Sequence, residues 1–209
     1  MRRVALLLAV MAAALVLASG VALAVNRVGT NGHDVLKGTD GKDNLLGLGG
    51  QDDIFGKGGS DNLVGGPGKD NVLGLDERLR PGGGDKNLVG GPGNDFVFSG
   101  KGSDNAVGGE GNDFLFECCL REFSKDTLSG GSGNDVIDQW HKPAAVKDVV
   151  ACGSGFDRVI ADRATLVAPD CEKVVVVHGS LEDHFRQNDR FFESIPRSFF
   201  RGLPPNPFR

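Results

Sequence analysis

The chain has no tyrosine, one tryptophan and two methionines, and only 39% of its 209 residues are hydrophobic. Beyond the first two dozen residues it has no apolar run that approaches the roughly 20 residues a bilayer span needs. Its four histidines (His33, His141, His178, His184) have no zinc-ligand spacing, and the adjacent Cys118 and Cys119 do not make a Cys-x-x-Cys pair. Gly56-Lys57, Gly68-Lys69 and Gly100-Lys101 do not continue into a Gly-Lys-Ser/Thr phosphate loop, and Gly153-Ser154-Gly155 lacks the nucleophile-elbow pattern. Asp52-Asp53 is a carboxylate pair in sequence only, because neighbours on an extended chain face opposite ways. No catalytic motif remains, so the expectation is a non-enzymatic protein without catalytic residues. Basic charge is also scarce. Residues 29–138 hold 19 acids and 10 bases, a net of −9 within a chain total of −5. An acidic segment repels phosphate backbones, so no nucleic-acid partner is expected.

Glycine is the opposite case, with 33 residues. It does not recur every third position, which excludes collagen.

The N-terminus reads as a targeting segment. Arg2 and Arg3 precede an unbroken apolar run from Val4 to Ala18, and Ala22-Leu23-Ala24 supplies the small residues of a signal-peptidase site. Fifteen apolar residues are short for an anchor. A signal peptide over 1–24, cleaved after Ala24, is expected, leaving a secreted or cell-surface-associated protein that is not integral to a membrane.

From Gly29 the chain falls into nines: GTNGHDVLK (29–37), GTDGKDNLL (38–46), GLGGQDDIF (47–55), GKGGSDNLV (56–64) and GGPGKDNVL (65–73). After seven extra residues come PGGGDKNLV (81–89), GGPGNDFVF (90–98), SGKGSDNAV (99–107) and GGEGNDFLF (108–116). Four more extra residues precede a decayed copy at 121–129, then GGSGNDVID (130–138) and a last recognisable copy at 152–160. Position 4 is glycine, position 6 aspartate and position 8 apolar. A flexible linker has no reason to hold an aspartate and an aliphatic residue in fixed phase.

The period dictates a solenoid. Glycine-rich positions 1–6 permit a tight turn. Positions 7–9 make a short strand with position 8 inward. Two nonapeptides close one coil of 18 residues, and coils stack as parallel strands about 4.8 Å apart over a thin aliphatic core. The expected fold is all-β, a right-handed parallel β-roll. Asp at position 6 then meets the Asp one coil away, beside turn carbonyls. Oxygen-only ligands suit Ca²⁺, a hard cation that takes 6–8 of them. The candidate ligands are Asp34, Asp43, Asp52, Asp61, Asp70, Asp95, Asp104, Asp113, Asp126 and Asp135, holding several ions. The pairs Asp113/Asp135 and Asp104/Asp126 are expected to be weaker, because insertions stretch their spacing from 18 to 22. Lys86 falls where an Asp is due, so that turn is expected to be empty or to use Asp85.

These repeats resemble the repeats-in-toxin, or haemolysin-type calcium-binding, proteins. The motif GGxGxDxUx, with U a large apolar residue, is complete at Gly65–Leu73, Gly90–Phe98, Gly108–Phe116 and Gly130–Asp138. The resemblance implies a β-roll that binds calcium in its turns, usually outside the cell. Here the repeats fill nearly the whole chain after the signal, whereas the family's toxins and proteases append them to a catalytic domain. A Ca²⁺-dependent adhesion or spacer protein is the alternative reading.

Residues 25–138 are taken as the roll, 139–178 as degenerate repeats and a closing cap, and 179–209 as an amphipathic helix with a Pro/Phe-rich tail. Cys152 and Cys171 are 19 apart, one coil plus one residue, and are expected to pair. Cys118 and Cys119 are left open among free thiols, a mutual bond and a link between chains. The repeats at 90–98 and 108–116 place Phe96, Phe98, Phe114 and Phe116 outward on one sheet. That apolar face needs a cover, either the tail or a cell-surface or protein partner.

Overall fold

The computed structural model describes residues 24–74, 84–85, 87–117, 124–139 and 147–177. The expected signal segment, the tail helix, Lys86, Cys118 and Cys119 lie outside these residues. Among the described residues no helix is long and apolar enough to cross a membrane.

Among the described residues sixteen strands follow one another in the order β1 (Asn26–Val28), β2 (Val35–Lys37), β3 (Asn44–Leu46), β4 (Asp53–Phe55), β5 (Asn62–Val64), β6 (Asn71–Leu73), β7 (Asn87–Pro92) and β8 (Phe96–Phe98), then β9 (Asn105–Glu110), β10 (Phe114–Glu117), β11 (Thr127–Ser132), β12 (Val136–Gln139), β13 (Val149–Ser154), β14 (Arg158–Ala161), β15 (Leu166–Val167) and β16 (Lys173–Val176). Odd-numbered strands build one eight-stranded sheet and even-numbered strands the other, so each coil contributes one strand to each. The pairings are parallel throughout, as in a β-solenoid. The last four strands continue the same two sheets.

Position 8 carries the core. Leu36, Leu45, Ile54, Leu63, Val72, Leu88, Val97, Ala106, Leu115, Leu128, Ile137, Val150 and Val159 form one file of buried side chains between the sheets. One layer of aliphatics is a thin core, and it works because every coil adds another rung to the same file.

The insertions leave the register intact. Asn71 stands beside Phe96, 25 residues on, and Phe114 beside Val136, 22 residues on. The strands on either side of each insertion therefore stay in phase. Cys152 and Cys171 are joined by a disulfide with a Cα–Cα distance of 5.2 Å, tying β13 to the segment before β16.

Candidate metal sites in the turns

The turns lie along two edges. One edge enters the even-numbered strands and the other the odd-numbered strands. On the even edge Asp34, Asp52, Asp70, Asp95, Asp113, Asp135 and Asp157 stand immediately before β2, β4, β6, β8, β10, β12 and β14. Each backbone N–H donates to the Oδ1 of the next aspartate along the stack. The distances are 2.9 Å for Asp34 to Asp52, 2.8 Å for Asp52 to Asp70 and 2.8 Å for Asp70 to Asp95. They continue at 2.8, 2.9 and 2.8 Å up to Asp157, whose own N–H donates to Glu172 Oε2 at 2.8 Å. On the odd edge the same ladder runs through Asp43, Asp61, Asp85, Asp104, Asp126 and Asp148, at 2.5–2.9 Å per step.

All ten aspartates expected from the repeat stand in these ladders. At Asp113/Asp135 and Asp104/Asp126, spaced by 22, the bonds of 2.9 and 2.7 Å match the rest because the strands stay in register across the insertions. Three further aspartates stand in the ladders, Asp85 as the alternative expected at the Lys86 turn and Asp148 and Asp157 without having been expected as ligands. Asp85 takes the place that the repeat gave to Lys86, so one residue is added between it and Asn87. Asp148 and Asp157 lie beyond the clean repeats, although each precedes a buried valine by two residues, as the motif requires. Glu172 ends the even ladder and had no sequence signal.

The second carboxylate oxygen points elsewhere. In the first two turns a threonine meets it: Thr30 N–H donates to Asp34 Oδ2 at 2.6 Å, and Thr39 N–H to Asp43 Oδ2 at 2.5 Å. Along the rest of the even edge, Oδ2 of Asp52, Asp70, Asp95, Asp113, Asp135 and Asp157 is buried with no hydrogen-bond donor. Leaving such an oxygen unmatched costs more than its hydrogen bonds elsewhere return. Burial pushes Asp70 up to about 6 and Asp95, Asp113 and Asp135 up to about 8. The N–H bond opposes this shift, and the carboxylate of the preceding coil adds to it. Asp52 and Asp157 are raised from the same leading cause.

The glycine at position 1 makes room for these oxygens. A Cβ on Gly65 would stand 2.5 Å from Asp70 Oδ2 and 2.6 Å from the Gly90 carbonyl oxygen of the next coil. A Cβ on Gly90 would meet Asp95 Oδ2 and the Gly108 carbonyl in the same way, at 2.5 and 2.7 Å. Each such turn is a cradle lined by carboxylate and carbonyl oxygen, with no nitrogen or sulfur ligand. Hard divalent cations of flexible coordination fit that donor set, Ca²⁺ before others.

The odd edge departs from this pattern. Ser99, Glu117 and Gln139 stand where Gly56 and Gly74 stand in earlier coils. Gln139 Nε2 donates to Asp148 Oδ2 at 2.7 Å. Glu117 brings a third buried carboxylate to Asp126 and Asp148, with one oxygen of each lying within 4.8 Å of the others. The extra segments after β6, β10 and β12 all leave from this edge.

The family model for the RTX calcium-binding nonapeptide repeat matches the chain in four copies, at residues 28–63, 46–76, 82–115 and 124–138. No curated protein and no solved structure matches it. Family match, parallel solenoid and buried aspartate ladders agree, and the chain belongs to the RTX calcium-binding nonapeptide repeat family, with its repeats in residues 28–138.

Proposed function

We propose that this chain is a secreted, non-catalytic protein whose β-roll binds several Ca²⁺ ions between stacked turns and needs them to stay folded. The family accounts for calcium and the roll. One observation supports the placement: the run of buried carboxylate oxygens without donors from Asp52 to Asp157, each beside a glycine cradle or its counterpart. The residues proposed to hold the ions are Asp52, Asp70, Asp95, Asp113 and Asp135, with Asp157 and the odd-edge aspartates Asp61, Asp85, Asp104, Asp126 and Asp148. Turn carbonyls would share in the binding. Asp34, Asp43 and Asp148 bind more weakly in this reading, because Thr30, Thr39 and Gln139 already donate to the second carboxylate oxygen.

Calcium would supply positive charge where parallel strands bring carboxylates within one strand spacing. The chain's own part is to keep Oδ1 on the backbone N–H of the neighbouring coil, which leaves Oδ2 aimed at the cradle. Folding and binding are then one process.

Circular dichroism during a calcium titration tests the reading. Chelated protein is expected to lose most β signal and to regain it with Ca²⁺, whereas Mg²⁺, which wants a tighter octahedron, substitutes poorly. An equal β signal in chelator and in calcium would sink it.

A further inference from the structure

The outer faces of the two sheets differ in what they show to water. On the odd-numbered sheet the column formed by the first residue of each strand is asparagine from Asn26 to Asn105. Its amides bond to each other, at 2.7 Å for Asn44 to Asn26 and 3.1 Å for Asn105 to Asn87. On the even-numbered sheet the face begins exposed, with Val35 at 51%, and then closes. From β6 to β14 its outward residues include Leu73, Val136 and Ile160, each 0% exposed, and Phe98 at 8%. Phe96 packs on Phe114 at 5.6 Å between ring centroids, and Phe98 on Phe116 at 5.5 Å. None of the sixteen strands lies over this face, since the two sheets meet only through the inward file.

We propose that the occupant of this face is the chain's own C-terminal segment, residues 178–209. The described chain ends at Val177, one residue past β16, and β16 is the last strand of this same sheet. The segment therefore starts beside the face. The stretch from β6 to β14 spans four strand spacings, on the order of 20 Å. Thirty-two residues cover that distance several times over. The segment holds six of the chain's thirteen phenylalanines: Phe185, Phe191, Phe192, Phe199, Phe200 and Phe208. It also carries five arginines, whose aliphatic stems can lie along an apolar face while their heads stay in water. An apolar cover with arginines suits a face of that composition.

The extra segments 75–83, 118–123 and 140–146 are poorer covers. They follow β6, β10 and β12, yet Phe98 in β8 and Ile160 in β14, which no such segment follows, are buried too. Burial also reaches Asn71 and Val136, which sit at the strand ends away from the edge where those segments leave.

The test is photo-crosslinking in the calcium-loaded full chain, with p-benzoyl-phenylalanine in place of Phe116. The expected product is an intramolecular crosslink that peptide mapping places within 178–209. A crosslink to 1–23, to any of the three extra segments or to a second copy would overturn the proposal, as would a crosslinker that finds no protein. In a second variant, Phe191→Ser and Phe192→Ser together should bring that crosslink down to background and raise hydrophobic-dye fluorescence. The calcium-induced β signal should stay. An unchanged crosslink and dye signal in that variant would also overturn it. Loss of the β signal in the parent chain would instead point to the calcium reading.

Discussion

The even edge and the odd edge of this roll carry the same aspartate ladder on very different turns. Each of the four complete GGxGxDxUx motifs lies on the even edge, entering β6, β8, β10 and β12. The three extra segments and the three replaced position-1 residues lie on the odd edge. Yet the N–H to Oδ1 step is continuous on both, 2.8–2.9 Å on one and 2.5–2.9 Å on the other. The ladder thus depends on strand register, which the inward aliphatic file holds, and not on turn sequence. The turn decides what faces the second oxygen. Glycine leaves a cradle, threonine or glutamine a donor, and glutamate another carboxylate.

The even edge should govern acid response. Its buried carboxyls have folded values near 8, against about 4 for an unfolded aspartate. The folded chain holds those protons more tightly, so their stabilising effect is complete below about pH 4 and is lost as pH rises through about 8. In chelator, β signal and thermal midpoint should therefore fall between pH 4 and 9, whereas excess calcium should hold them near neutral pH. Asp95→Asn, Asp113→Asn and Asp135→Asn combined should flatten the chelator profile. A flat profile in the parent would show that these carboxyls are not the cause.

Single aspartates should separate the edges next. Asp113→Ala removes the acceptor of the Asp95 N–H and one wall of a glycine cradle. In calcium it should cost roughly 3 kcal/mol and lower the number of ions bound. Asp126→Ala also uncovers an N–H, that of Asp104, but it relieves the crowding of Glu117, Asp126 and Asp148. Its cost should be nearer 1 kcal/mol. Equal losses, read by calcium titration and melting, would erase the distinction between edges.

Gln139 offers a finer cut. Its amide gives Asp148 Oδ2 the donor that a cation would otherwise replace. Gln139→Glu should destabilise the chelated protein by about 1–2 kcal/mol, and calcium should recover most of that. A loss that calcium leaves untouched would mean that the amide acts only by packing.

The smallest effect concerns the backbone. Position 2 takes a positive φ at Gly66, Gly91, Gly109 and Gly131, and Leu48 (φ 82°) and Lys57 (φ 76°) hold the same position without being glycine. A left-handed conformation costs a side-chain-bearing residue about 1 kcal/mol. Lys57→Gly on the odd edge should therefore raise stability by about that much in calcium. A drop would show that the exposed Lys57 side chain makes a contact worth more than the strain.

Much of this was legible in the one-dimensional pattern, because the period is local. Nine residues contain their own turn and strand, so Asp52 or Ile54 can be assigned without knowing what stacks above. Where the phase breaks, that reading slips. At Lys86 the acceptor is Asp85, one of the two outcomes expected there; the turn before Asp148 has no glycine, and the turn before Asp157 keeps Gly153 and Gly155 but has Cys152 at position 1. Glu172 closes a ladder from a place where no repeat remains.

Sequence alone determined the coil: its length, its inward aliphatic, its aspartate and the oxygen-only chemistry of its turns, since each follows from residue type at a fixed spacing. Tertiary structure decided which coil lies on which. That stacking returns the insertions to register and makes each Oδ1 an acceptor for its neighbour. It sorts the complete motifs onto one edge and closes one outer face while the other keeps an asparagine column. Those are relations between residues 18 or more apart, and the contact between coils, which no single nonapeptide contains, is what sets them.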